Sequence, residues 1–164
     1  MGEVNKNKNH KVIIEALPYI KNCWYVLCGR GPLMNDYRKL AESLGVSNRF
    51  IMPGYRSDVA NFYNIADVFV FPSYREGLPV SVMEAMAFGL PVICTKIRGN
   101  SDLITEGKGG FFFHADNRFE LVTTLKEHFF ERCELASLGS YNREEIKNYG
   151  QKKVLEQVYN LYLS

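Results

Sequence analysis

The sequence predicts a doubly wound α/β domain, a parallel sheet with flanking helices on both faces. Three observations point there. Short apolar runs alternate with amphipathic stretches along the whole chain. The apolar runs are continuous rather than alternating, as strands buried on both faces require. Several of them end in glycine or proline, which marks loops at the strand ends. The length of 164 residues suits one domain, 1–164, and 46% hydrophobic with 23% charged residues excludes a disordered, collagenous or coiled-coil chain.

The elements follow in order. Lys11 to Ile20 has a helical apolar face of Val12, Ile13, Ala16, Leu17 and Ile20. Trp24 to Cys28 reads as a buried strand closed by Gly29-Arg30-Gly31-Pro32. Leu33 to Leu44 is an expected helix stopped by Gly45, and Arg49 to Met52 a short strand ending at Pro53-Gly54. Asp58 to Ile65 should be a short helix. Val68 to Phe71 is the most strand-like run and ends at Pro72-Ser73. Pro79 suits the first turn of a helix reaching Phe88, and Gly89 suits its C-terminal cap. Val92 to Cys94 is a further strand, Ser101 to Ile104 a helical turn and Gly110 to Phe113 a last strand. Phe119 to Phe130 is an amphipathic helix, followed by helical pieces over Arg132 to Leu138 and Arg143 to Leu161.

A doubly wound sheet normally opens with a strand, yet only Met1 to Val4 stand ahead of the first loop and helix. The first strand is therefore expected to be truncated. In the usual order that strand is central, so its loss would leave a gap or an unpaired edge.

Lys+Arg number 20 against 18 Asp+Glu, a net charge of +2, which gives no basic excess for nucleic acid. The four cysteines, Cys23, Cys28, Cys94 and Cys133, form no C-x-x-C pair and read as reduced, mostly buried thiols of a cytoplasmic protein. No apolar stretch is long enough to span a bilayer, and no apolar segment follows Met1 as in a signal peptide. His10, His114 and His128 have no metal-ligand spacing. Gly29-Arg30-Gly31 lacks the third glycine and the ribose acid of a dinucleotide fingerprint.

In doubly wound sheets ligands bind at the carboxyl ends of the strands. The loops after Cys28, Met52, Phe71 and Cys94 are therefore the ones of interest. The segment Glu76-Gly77-Leu78-Pro79-Val80-Ser81-Val82-Met83-Glu84 follows Phe71 directly. Its two glutamates lie eight positions apart, about 80° beyond two full helical turns, so both carboxylates can lean toward one side. A carboxylate accepts paired sugar hydroxyls well, because its charge strengthens each bond. Gly77 lets backbone approach a ligand, and a helix beginning near Pro79 turns free N–H groups toward an anion. The plain alternative is two solvated glutamates flanking an amphipathic helix.

The stretch Glu76 to Glu84 resembles the E-x7-E signature of retaining glycosyltransferases of the GT-B fold, the large family of bacterial polysaccharide and lipopolysaccharide sugar transferases. The flanking text is similar too: Ala66-Asp67-Val68-Phe69-Val70-Phe71-Pro72-Ser73 before it, and Ala85-Met86-Ala87-Phe88-Gly89-Leu90-Pro91-Val92 after it. Gly29-Arg30-Gly31-Pro32 and Phe50-Ile51-Met52-Pro53-Gly54-Tyr55 add to the likeness, which covers about residues 2 to 162. The resemblance implies a Rossmann-like C-terminal half of a GT-B fold that binds a nucleotide diphosphate sugar, with UDP- or GDP-sugar as donor. It implies Glu76 as the catalytic candidate, holding hydroxyls of the donor sugar. The backbone of Gly77 and Leu78 would support the sugar or its phosphate, and Glu84 would bind the ribose. Lys8 aligns with the lysine that neutralises the diphosphate, or else is one exposed lysine among Lys6, Lys8 and Lys11. Pro53 to Arg56 would lie near the base. Arg98-Gly99-Asn100 would face the same crevice, or form a plain turn.

The resemblance further implies no cofactor and no obligatory metal. It places the acceptor on an N-terminal domain absent from this chain, through which the whole enzyme would associate peripherally with the inner face of the membrane. The pathway implied is capsule, exopolysaccharide or lipopolysaccharide synthesis. One departure stands out. The family pattern has Gly-Arg in the first loop, where this chain has Gly2-Glu3. A carboxylate repels phosphate, so Arg30, Arg75 or Arg98 is expected to compensate. Two other classes fit the same residues less fully: a nucleotide-sugar epimerase on the same fold, and a non-catalytic binding half of a split or truncated transferase. An apolar stripe of Val154, Val158, Leu161 and Tyr162 on the last helix is expected to reach a partner domain, to drive self-association, or to pack on this domain's own sheet.

Overall fold

The computed structural model describes residues 2–129, 135–150 and 153. Helix α1, His10–Ala16, ends in a 3₁₀ turn over Leu17–Tyr19, because Pro18 lacks the N–H that would continue it. Arg49 caps the carbonyls freed there, donating to Ile20 O at 2.5 Å and Leu17 O at 2.9 Å. Strand β1, Tyr25–Cys28, leads to α2, Met34–Ser43, and then to β2, Phe50–Gly54. Pro53 and Gly54 belong to β2 rather than ending it. The register slips by one residue between Val26↔Ile51 and Cys28↔Gly54, so the bulge accommodates Pro53.

Helix α3, Val59–Ile65, precedes β3, Phe69–Phe71, and α4, Val80–Ala87, precedes β4, Val92–Thr95. The short α5, Arg98–Ser101, is followed by β5, Gly110–Phe113, α6, Arg118–His128, and α7, Leu135–Glu145. A 3₁₀ turn over Ile146–Tyr149 closes the described part.

All strand pairs are parallel, but the expected single sheet is divided in two. One part is β1-β2 and the other β3-β4-β5, with β4 in the middle. The four residues of β4 are at most 1% exposed. Among the described residues no strand precedes α1. Three apolar clusters make the core. One joins α1 and α6 to Val70 and Ile93, a second joins α4 to Phe71 and Val92, and a third gathers Val4, Leu17, Leu27 and Phe50 around β1 and β2.

Two expected elements differ. The helical turn expected from Ser101 begins three residues earlier, at Arg98. The break expected between Leu138 and Arg143 is absent, since α7 runs straight through. It does so because Gly139 lies against Gly89, whose carbonyl oxygen would stand 2.0 Å from a Cβ there. Asn142, fully buried, donates to Leu90 O at 2.8 Å and Gly109 O at 2.6 Å and so ties α7 to the segments that lead into β4 and β5. Cys23, Cys28 and Cys94 are free thiols, and burial raises the pKa of each. Cys133 and the stripe of Val154, Val158, Leu161 and Tyr162 lie outside the described residues.

His10 opens α1 from a buried position, 7% exposed, with Nδ1 sharing a 2.7 Å hydrogen bond with the Tyr25 hydroxyl. Burial, helped by the nearby Lys8 ammonium, lowers its pKa to about 3. Between about pH 6.5 and 3 the unfolded chain therefore holds a proton that the folded chain refuses, so stability falls as pH falls through that window. Thermal unfolding at pH 7 and pH 4.5 should show wild type losing about 5 °C more than His10→Gln, which cannot titrate.

Candidate functional site

The loops after β1 and β3 meet the amino-terminal segment of the chain, and the segment after β4 packs on the loop after β3. That segment runs beside the end of β1, with Gly2 N–H donating to Cys28 O at 3.4 Å and Val4 N–H to Arg30 O at 2.9 Å. Gly29 and Gly31 permit it. A Cβ on Gly29 would fall 2.0 Å from Gly2 O, and one on Gly31 2.3 Å from Val4 O. The two glycines of Gly29-Arg30-Gly31 thus serve backbone packing and leave Arg30 exposed between them.

The same segment then docks on the loop after β3. Tyr74 N–H donates to Asn7 O at 2.9 Å, and the Asn7 side chain donates to Arg75 O at 2.9 Å. Lys8 Nζ meets Glu76 Oε1 at 2.7 Å, with both side chains under 20% exposed, and lies 5.0 Å from the centre of the Phe71 ring. Lys8 and Glu76, 68 positions apart in sequence, are therefore brought together. Asn7 also reaches Glu76 Oε1 at 3.5 Å. Nothing in the local pattern around Asn7 marks it for this place.

Gly77 and Leu78 are exposed in the loop just before α4. Pro79 stands at the N-cap and no side chain caps α4; Val82 and Met83 N–H donate to Pro79 O, which leaves the first-turn amides of Val80 and Ser81 without intrahelical partners. Glu84 is exposed on α4, and the Tyr63 hydroxyl donates to its Oε2 at 2.9 Å. Burial, and then the bond to Glu84, raise the Tyr63 pKa, so the phenol stays a donor. Sequence reasoning missed Tyr63, because its partner lies 21 positions away on another helix.

Arg98 is exposed at the start of α5, while Gly99 and Asn100 are buried. The segment is helical and not a plain turn. Gly99 is pressed against the glutamate loop, since a Cβ there would stand 2.1 Å from Gly77 O and 2.9 Å from Glu76 O. Its place is behind that loop, as a support. Asn100 donates to Thr95 O at 2.8 Å, and Thr95 Oγ1 donates to Ser73 O at 2.5 Å, knitting the ends of β3 and β4. Ser73 Oγ and Asn100 Oδ1 are buried there without hydrogen-bond partners. Arg30, Arg75 and Arg98 each follow the carboxyl end of a strand and are exposed. Glu3 accepts from Asn5 Nδ2 at 3.1 Å. Tyr55 is 69% exposed, and Arg56 is paired with Asp58 by two 2.7 Å bonds.

A cavity of about 670 Å³ lies beneath this end of the molecule. Lys8 and Tyr63 line it, whereas Glu76 and Glu84 do not. The two glutamates are thus held by side chains that reach up from the cavity wall. Among the described residues no three His, Cys, Asp or Glu side chains are grouped to hold a metal, and no helix is long and apolar enough to cross a membrane.

Parallel strands, flanking helices and a polar cluster at the strand ends define a Rossmann-like domain. In fold it matches GT-B transferases. HepE from Anabaena, solved in complex with UDP, superposes with a TM-score of 0.89 at 21% identity over 98% of this chain and 47% of that one. TarM from Staphylococcus aureus gives a TM-score of 0.89 at 22% identity, over 99% of this chain and 35% of that one. The family model described as "Glycosyl transferases group 1" matches residues 1–153, and the chain belongs to that family. EpsD of Bacillus subtilis strain 168 is 32% identical over 98% of this chain and 43% of its own length. The UDP-Gal:α-D-GlcNAc-diphosphoundecaprenol α-1,3-galactosyltransferase of Escherichia coli is 31% identical over 76% of this chain and 34% of its own. The chain spans less than half the length of each of these proteins.

The packing of Gly99 makes a stability test. Gly99→Ala must displace the backbone of the glutamate loop and should cost about 2 kcal/mol in urea unfolding. Gly77→Ala meets nothing within 4 Å and should change stability by under about 0.5 kcal/mol.

Proposed function

We propose that this chain is the donor-binding domain of a retaining glycosyltransferase. The whole enzyme moves a sugar from a nucleotide diphosphate sugar to an acceptor hydroxyl, in capsule, exopolysaccharide or lipopolysaccharide synthesis. The observation that carries the reading is the 2.7 Å pair of Lys8 and Glu76 at the strand ends, next to the uncapped start of α4. It joins a cation suited to a diphosphate with an acceptor suited to sugar hydroxyls. UDP in the HepE complex and the galactosyltransferase named above support the same reading.

The residues divide the work as follows. Lys8 and the first-turn amides of α4 stabilise negative charge on the departing diphosphate, a task for preorganised positive groups. Arg30, Arg75 and Arg98 add to that field and offset Glu3. Without a donor, Glu76 neutralises Lys8. When phosphate takes the lysine, Glu76 is released to accept from sugar hydroxyls and to orient the anomeric carbon. Tyr63 holds Glu84 so that its carboxylate accepts from the paired ribose hydroxyls. Gly77 and Leu78 present backbone to the sugar or phosphate, with Gly99 behind them. The acceptor belongs to an N-terminal domain outside this chain, and that domain carries any contact with the inner face of the membrane. The chain alone binds donor weakly and transfers sugar poorly.

Calorimetric titration with UDP, GDP and their glucose conjugates tests this. One nucleotide series should bind, and Glu84→Ala should weaken it ten- to hundred-fold, the usual worth of a hydrogen bond to a charged group. Glu76→Ala should weaken the sugar conjugate more than the free nucleotide. Binding of neither series, or binding indifferent to Glu84, removes the proposal.

A further inference from the structure

The loop that carries Glu76 is held on several sides. Ser73 O accepts from Thr95 Oγ1 at 2.5 Å, and the Tyr74 hydroxyl donates to Asp116 Oδ1 at 2.5 Å. Gly99 packs behind Gly77. The backbone on either side of Glu76 is therefore fixed from the ends of β4 and β5, and the freedom left at this place belongs to the carboxylate. Its two contacts, Lys8 Nζ at 2.7 Å and Asn7 Nδ2 at 3.5 Å, fall on the same oxygen, Oε1. Among the described residues none donates to Oε2.

Asn7 and Lys8 hold that oxygen in different ways. Asn7 is locked in place. Its carbonyl accepts from Tyr74 N–H at 2.9 Å, and its Nδ2 donates to Arg75 O at 2.9 Å. A side-chain amide is planar and carries two hydrogens on its nitrogen. Once one of them is committed to Arg75 O, the direction of the other is set, and Glu76 Oε1 is the acceptor it meets. Lys8 instead carries a point charge on a flexible stem. At 2.7 Å it makes the strong bond, while the 3.5 Å contact of Asn7 stands at the outer limit of a hydrogen bond. The stronger partner is also the one that an incoming phosphate takes away.

We propose that Asn7 is a positioning residue that takes over Glu76 when Lys8 leaves it. Relieved of the ammonium, Oε1 closes on the second Nδ2 hydrogen of Asn7. The carboxylate plane stays fixed, and Oε2 is the oxygen offered to the sugar hydroxyls. Without Asn7 a released glutamate rotates freely, and the sugar must order it on binding. The inference rests on the donor-binding reading above. Asn7 acts through Glu76 and not on the diphosphate, so its loss is felt by the sugar conjugate and hardly by the free nucleotide.

Two measurements test this, and the first needs no nucleotide. Lys8→Met removes the competing ammonium and keeps an apolar stem beside Phe71. One of the two Asn7 Nδ2 protons should then move downfield in the NMR spectrum and exchange more slowly than in wild type, an effect lost when Glu76→Ala is added. Unchanged protons overturn the proposal. The second is calorimetry of wild type and Asn7→Ala with UDP, UDP-glucose, GDP and GDP-glucose. In the series that binds, Asn7→Ala should weaken the glucose conjugate about tenfold and the free nucleotide less than about twofold. Equal weakening of the two makes Asn7 a structural anchor only and overturns the proposal, as does an unaffected conjugate. If neither series binds wild type, the donor reading falls and takes the sugar's part with it. The amide protons of Lys8→Met then decide by themselves whether Asn7 holds Glu76.

Discussion

The eight residues from Gly2 to Asn9 hold this domain's two sheets in one arrangement. Among the described residues no strand bonds β1 to β3; this segment joins the sheets at their carboxyl ends and α1 packs along their faces. Val4, fully buried, anchors one end against Leu27 and Phe50 beside β1. Asn7 and Lys8 anchor the other on the loop after β3. Asn9 donates to Ala115 O at 2.7 Å and takes a left-handed backbone at φ 46, where α1 begins. Each bond alone is worth about 1 kcal/mol, but together they fix the distance between the two halves of the polar cluster.

That arrangement accounts for which features were legible in the amino-acid pattern. Every strand was, because a strand buried on both faces needs an unbroken apolar run, and Val68 to Phe71 and Val92 to Cys94 are such runs. The pairing of Glu76 with Lys8 was not, because it depends on a loop crossing 68 positions of sequence. The helical state of Arg98 to Ser101 was hidden for a different reason. Glycine and asparagine disfavour helix locally, and here the turn is imposed by Asn100 reaching back to Thr95 and by Gly99 seating against Gly77. The continuity of α7 past Leu138 was hidden similarly, since Gly139 disfavours helix locally and here is a point of close approach to Gly89.

Glu3 puts a negative charge in the first loop, so positive charge at this end of the domain comes from other residues. Glu3 turns to Asn5, an exposed contact, while Lys8 keeps the inward position over Phe71. An ammonium over an aromatic face and against a carboxylate is held without being fully desolvated, so an incoming phosphate can compete for it. Three exposed arginines at the strand ends give a diffuse positive field, which favours anions without fixing their geometry. In this reading orientation comes from Lys8, the amides of α4 and the two glutamates, and long-range attraction from the arginines.

The site and the cavity beneath it share two side chains. Lys8 belongs to both, since it lines the cavity and bonds Glu76. Tyr63 does the same on the other side, lining the cavity and bonding Glu84. Packing around the cavity limits the positions open to the carboxylates above, because close-packed interiors transmit displacement. The polar cluster is in this sense supported from beneath, by the same wall that holds Lys8 and Tyr63.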